Sequence, residues 1–236
     1  EGVKITTSQP NINEIMELWE KLLKTHDQVL HFPMSSALSQ SCETAQKFAE
    51  ENFPNKVFVV DNRRISITLK GSVFDAIKLI EQGLDAKEIK EYLENDGDKS
   101  TIYLVVDTLK YLKQGGRVTP AAAAIGTVLN IKPILTIQGG KLDKFAMVTN
   151  IKAAKKKMIN ALKKDMETRF SDFVKNGEFA IAVAHTTNDE NAEIFKQELI
   201  KEFPNIPFTY VDPLSLSIAT HTGPRVLAVG GYHFVK

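Results

Sequence analysis

Apolar positions recur along this chain with helical and strand periods. In INEIMELWEKLL, Ile12, Ile15, Met16, Trp19, Leu22 and Leu23 fall at the three-and-four spacing of one helical face. Asn11, with Glu14 three residues on, predicts a capping box at its start. The same spacing runs through Leu38, Cys42, Ala45, Ala49 and Phe53, and through Leu69, Val73, Ile77 and Ile80 up to Gly83. Between 151 and 173 it links Ile151, Ala154, Met158, Leu162, Met166, Phe170 and Phe173 and predicts one long amphipathic helix. AKEIKEYLEND, TLKYLKQGG, the small-residue run PAAAAIGTVLN and DENAEIFKQELIKEF read as further helices. QVLHF, KVFVVDN, TIYLVVD, FAIAVAH, FTYVD and RVLAVGGYHF read as strands, and KPILTIQGGKLDKFAMV as a hairpin turning at Gly139–Gly140.

Strands that alternate with helices predict an α/β fold. A boundary in NDGDKS gives an N-terminal α/β domain at 1–98, built on a parallel sheet, and a C-terminal α/β domain at 99–236, whose hairpin makes its sheet mixed. Composition narrows the class. The 236 residues are 43% hydrophobic and 25% charged, ordinary for a globular chain with a sizeable core. A formal net charge of +1 supplies no global field toward nucleic acid or anionic lipid. One cysteine, Cys42, excludes an internal disulfide framework and suits a reducing, cytoplasmic compartment. No apolar run approaches spanning length, so membrane insertion is not expected.

The candidate chemistry lies in hydroxyl-bearing turns. TTSQP precedes the first helix and brings Thr7 and Ser8. PMSSALSQS follows a strand and brings Ser35 and Ser36 to the start of a second helix. Helix N-termini carry unpaired N–H groups and partial positive charge, so an anion can settle there. In parallel α/β sheets such turns gather at one edge. Serine and threonine are also ordinary N-caps, and the two readings are compatible. In the tail, THTGP places His221 in a loop between hydroxyls, ahead of a Gly-Pro turn. A histidine there could hold an anion, serve as a base or simply hydrogen-bond within the fold. His185, at the end of FAIAVAH, has less beside it. KQGGR offers Arg117, although a glycine pair after a helix also reads as a C-cap. The lysines of KAAKKKMINALKK face away from its apolar stripe, as a solvated face or a surface for an acidic partner. No metal-ligand spacing, P-loop or nucleophile elbow is present, and no cofactor or metal is expected.

Taken in order, TSQP at 7–10, SSALSQS at 35–41, VVDNRRIS at 59–66, LKYLKQGGRV at 109–118, LNIKPIL at 129–135, AHTTNDENA at 184–192 and SLSIATHTGP at 215–224 resemble the DegV family of bacterial lipid-binding proteins. The resemblance implies two α/β domains of the EDD fold that hold one long-chain fatty acid, its acyl chain in a buried apolar tunnel and its carboxylate between the domains. It maps carboxylate contacts onto Thr7, Ser8, Ser35, Ser36 and His221. It further implies a non-catalytic protein, in some members the lipid-binding subunit that presents the acid to a separate ATP-using fatty acid kinase subunit. Arg117 is then a candidate contact with that subunit, and transient contact with a membrane surface fits lipid exchange.

This chain departs from the family at several points. Gln40 and Ser41 stand where Gly-Thr is usual, Asn62 where serine is usual, and Arg225 where a glycine follows HTGP. ITLKGSV replaces a glycine-rich turn, and KFAMVTNIK lacks the arginine many members carry before the basic helix. The family's opening strand and Asp-Ser turn do not appear, so the N-terminal sheet is expected without its first strand.

Burying about sixteen carbons contributes on the order of 12 kcal/mol before costs. The head group must then be paired, because an isolated buried charge is prohibitive. Two other readings remain. In one, Ser36 is the nucleophile and His221 the base of a hydrolase or acyltransferase, with Asp61 or Asp212 orienting the imidazole. In the other, the same helix ends hold a phosphate ester or nucleotide.

Overall fold

In a computed structural model of the protein, residues 5–125 and 131–236 are described. The chain runs α1 (Ile12–Leu22), β1 (Val29–His31), α2 (Ser41–Asn52), β2 (Val57–Val59), α3 (Ser66–Glu81), α4 (Ala86–Asn95) and β3 (Ser100–Val105). It continues through α5 (Lys110–Gly115), α6 (Pro120–Ala123), β4 (Lys132–Ile137), β5 (Asp143–Val148), α7 (Ile151–Glu167) and α8 (Ser171–Asn176). The last elements are β6 (Phe179–His185), α9 (Asp189–Glu202), β7 (Phe208–Pro213), α10 (Leu216–Thr222) and β8 (Leu227–His233).

β1 and β2 form a small parallel sheet in register Val29↔Val57. The other strands form a six-stranded mixed sheet in the order β5-β4-β3-β8-β6-β7, parallel only between β6 and β7. The α/β class and the mixed second sheet stand as expected. Alternation along β3 divides the large core: Ile102 and Leu104 join the cluster on one face, Tyr103 and Val105 that on the other. A smaller cluster around Trp19, Cys42 and Ala45 packs α1 and α2 beside the two-stranded sheet.

Several expectations change. Asn11 caps α1 by accepting from the Asn13 amide, with no reciprocal bond from Glu14 among the described residues. The complete capping box lies instead at Asp85–Glu88, opening α4. Thr7 and Ser8 therefore precede the cap and do not finish the helix. Ser35 and Ser36 are not at a helix start either: 35–40 is a turn, and α2 begins at Ser41. The 151–173 helix breaks after Glu167, where the chain turns Phe170 inward to stack on Phe179 at 5.0 Å. Of the small-residue helix, 120–123 is helical, and 126–130 lie outside the described residues. His221 lies in the last turn of a helix, α10, rather than in a loop.

The largest reversal concerns α3. Its buried residues are Ile67, Thr68, Gly71, Ser72, Asp75, Ala76 and Leu79. The apolar face expected to be covered is open, with Val73, Ile77 and Ile80 at 38%, 47% and 56% exposure. The cause is close packing. A Cβ on Gly71 would lie 2.5 Å from the Tyr232 ring, and one on Gly230 2.7 Å from Ile67. α3 presses its small, polar side onto β8, where larger side chains would not fit.

Candidate functional site

Several irregular segments and two short helices, α5 and α10, converge on a cavity of about 390 Å3. The Thr7–Pro10 segment is tethered to α2 by Thr44, whose hydroxyl donates to Gln9 Oε1 at 2.9 Å. β1 ends on His31 and leads into Phe32, Pro33 and Met34, which form one wall. The following turn contributes Leu38, Ser39 and Ser41, and Leu112 of α5 with Leu142 contributes another wall. α10 supplies Ile218, His221 and Thr222. The lining is thus largely apolar, with hydroxyls, two imidazoles and Arg117 as its polar members.

At the polar end Thr7 Oγ1 and His221 Nε2 lie 2.7 Å apart, joining residues 214 positions apart in sequence. The Arg117 guanidinium donates to the Leu38 carbonyl at 3.2 Å and also to the Gly115 carbonyl. Burial, and then the nearby Arg117 charge, lowers the His221 pKa below its ordinary value. Burial lowers that of His31 as well. Both shifts favour the neutral form of the ring. No aspartate or glutamate lies among the described lining residues, so the fixed charge here is the cation of Arg117. Such an end receives an anion and disfavours a cation.

A second cavity of about 660 Å3 shares Thr7, Ser8, Ser39 and Arg117 with the first and adds Ser36 and Lys141. It too has no acidic lining among the described residues. A groove of about 430 Å3 shares Phe32, Met34, Ile65 and Ile218 with the apolar end of the first cavity and continues along Leu69, Val73 and Phe74 of α3.

The residues singled out in sequence thus sort by position. Thr7, Ser8, Arg117 and His221 line the first cavity. Ser36 lines the second. Ser35 lines neither: it is 1% exposed, and its Oγ accepts from the Ala37 amide within the turn. Arg117 faces inward onto two backbone carbonyls. His31, Gln9, Ser39 and Lys141 were missed. Of these, His31 carried a legible signal, since it ends a strand of a parallel sheet, where ligands gather.

The pair a hydrolase needs is not formed. His221 Nε2 is engaged by Thr7. Asp61 Oδ1 accepts from the Ser36 and Arg63 amides, and Asp212 pairs with Lys70. Cys42 offers no nucleophile: its buried thiol is pushed up to about 12, chiefly by desolvation. Among the described residues no group of acidic, histidine and cysteine side chains could hold a metal ion, and no helix is long and apolar enough to cross a membrane.

Comparison with known proteins is consistent with this architecture. The profile of the DegV family, described as uncharacterised proteins, matches residues 1–233. A DegV domain-containing protein of Clostridium perfringens is 32% identical over 234 residues, covering 97% of this chain and 78% of its own. The DegV protein of Bacillus subtilis is 31% identical, over 95% of this chain and 77% of its own. Among solved structures, a DegV family protein of Thermus thermophilus described as binding fatty acid superposes with a TM-score of 0.84 at 27% identity, covering 97% of this chain and 79% of its own. The Bacillus subtilis DegV structure, described as a fatty acid binding protein, gives 0.82 at 27% identity, over 97% of this chain and 78% of its own. By sequence and by fold, the chain belongs to the DegV family.

Proposed function

We propose that this protein binds a long-chain fatty acid, with its carboxylate at the Thr7–His221 end of the cavity and its acyl chain among Met34, Leu38, Leu112, Leu142 and Ile218. One observation carries the reading: an imidazole and a hydroxyl in contact, with a guanidinium and no acid among the described lining residues, meet in an apolar-walled cavity. Solved relatives described as fatty acid binding support it. Thr7, Ser8 and His221 touch the head group, and Arg117 supplies the balancing charge from behind. The groove along α3 gives a longer chain room to continue.

The reading includes no chemistry by the protein itself. A separate ATP-using subunit would reach the carboxylate through the second cavity, where Ser36 and Lys141 line an open polar approach. Ser36 then belongs to that approach, and Ser35 shapes the turn that holds it.

Mass spectrometry of an organic extract of the purified protein is expected to show a co-purified fatty acid. Added oleate or palmitate should bind the delipidated protein. Protein that is empty as purified and takes up neither acid would contradict the proposal. Thr7→Ala is expected to weaken binding by about 1.5–3 kcal/mol, the worth of a hydrogen bond to a charged group. Ser36→Ala should affect it less.

A further inference from the structure

α5 and α10 meet ring against glycine at both ends of their contact. At one end the His221 imidazole lies on the backbone of Gly115. A Cβ there would fall far inside contact distance of Nδ1, 3.0 Å from Cε1 and 3.3 Å from Cγ. At the other end Gly223, with φ +81, lies beneath Tyr111, and a Cβ there would be 2.6 Å from the ring's Cδ2. Each helix thus fixes an aromatic ring of the other, and α10 cannot slide along α5 without a clash.

Gly115 is not required by its own backbone. It ends α5 without a positive φ, whereas the next residue, Gly116, adopts φ +68 as the left-handed cap. An alanine would take the Gly115 conformation readily and favour the helix. What excludes a side chain at 115 is the ring of His221. The Gly115 carbonyl is also held by the Arg117 guanidinium, which reaches the Leu38 carbonyl. The peptide under the imidazole is therefore tied through Arg117 to the turn that carries Leu38.

We infer that Gly115 is a positioning residue for the head-group site: its missing side chain sets how deep the His221 ring sits, and hence whether Nε2 reaches Thr7 and the carboxylate of a bound lipid. This rests on the fatty-acid reading above. With a methyl group at 115 the ring must move off the helix, and the 2.7 Å contact to Thr7 opens. Gly115 itself touches no ligand and acts through His221.

Gly115→Ala tests this. The variant should fold with unchanged secondary structure, and because the displaced ring is only half-buried its melting temperature should fall by no more than a few degrees. Its affinity for oleate should fall about ten- to a hundredfold, as for loss of one charge-assisted hydrogen bond. In the delipidated proteins, NMR titration of the His221 ring should move from its depressed value toward the ordinary range, a change that a purely structural role for Gly115 would not produce. In a His221→Ala background, Gly115→Ala should add no further loss of affinity. An unmoved His221 titration, or losses that add in the double variant, would overturn the inference. Should His221→Ala alone leave oleate affinity unchanged, the head-group reading falls. The NMR comparison, made without lipid, would still decide whether Gly115 positions the ring.

Discussion

Two polar clusters join the segments before residue 98 to those after it, and they are built on opposite principles. Around Arg64 and Asp96, both at most 2% exposed, the groups are bonded to one another. Arg64 donates to Asp96 Oδ2 at 2.8 Å, to the Asp96 carbonyl at 2.7 Å and to Ser72 at 3.0 Å. His233 Nδ1 lies 2.8 Å from Asp96 Oδ1, and Asn62 donates to Ser72 at 2.7 Å. Around Thr7 and His221, one side-chain contact faces open space, and among the described residues Ser36 keeps its hydroxyl free of protein partners and the Arg117 cation has no acidic partner. A cluster whose partners are all internal holds a fold together. One that leaves donors facing a cavity is completed from outside.

That contrast predicts opposite behaviour on mutation. Arg64→Ala removes the fully buried cation from Asp96, leaving it the half-exposed Lys99 at 3.1 Å, and should cost about 3 kcal/mol in urea unfolding. A loss under 1 kcal/mol would mean that the cluster does not hold the fold. His221→Ala should leave unfolding nearly unchanged while weakening oleate binding by about 1.5–3 kcal/mol. If it unfolds the protein instead, the two clusters are of one kind.

Acidification sharpens the comparison, because one member of the buried region is incomplete. Asp75 accepts from the Val235 amide at 2.8 Å, but its other oxygen is buried with no partner among the described residues. Burial raises its carboxyl to about 6, against the pull of the Val235 amide and Arg64. A group whose folded pKa is raised binds protons more readily when native, so stability rises as pH falls from above 6 toward the unfolded value near 4. The change amounts to roughly 2–3 kcal/mol. The pKa of Asp96, by contrast, is lowered by His233, Arg64 and Lys99 against the desolvation that opposes them. Its stabilisation is present above its ordinary value and is lost as pH falls below it. Stability should therefore peak between these limits, and Asp75→Asn should remove the rise between pH 7 and 5. A wild type that weakens steadily over that range would contradict the account. The smallest effect is expected at the surface: Lys47→Ala, breaking a 4.0 Å exposed pair with Glu51, should change stability by about 0.5 kcal/mol or less.

The sequence was legible where one periodicity met one environment. β6, buried along its whole length, reads as a continuous apolar run, and α9 and α7 bury the stripes their spacing implies. α3 misled because its exposed side is the more apolar one. Gly71 and Ser72 lie on the buried side since only small groups let the helix approach β8, and spacing cannot report that approach. α10 was unreadable because LSIATHT has no stripe; Thr220 and Thr222 bond back to carbonyls four residues earlier. The serines and threonines proposed for the head-group end were legible as hydroxyl-bearing turns, but their positions were not. Ser35 and Ser36 are adjacent, yet one is locked in its turn and the other faces a cavity. Arg117 is legible as a cation after a glycine pair, but its bonds to the Leu38 and Gly115 carbonyls join residues that spacing alone does not connect.

The central claim is that the Thr7–His221 end of the cavity holds a carboxylate. Native mass spectrometry of delipidated wild type and His221→Ala, each titrated with oleate and with the uncharged alcohol of the same chain, tests it most directly. Wild type should prefer the acid to the alcohol by at least about tenfold, and the variant should lose most of that preference while still taking up the alcohol. Equal binding of acid and alcohol by wild type, or an undiminished preference in the variant, would contradict it.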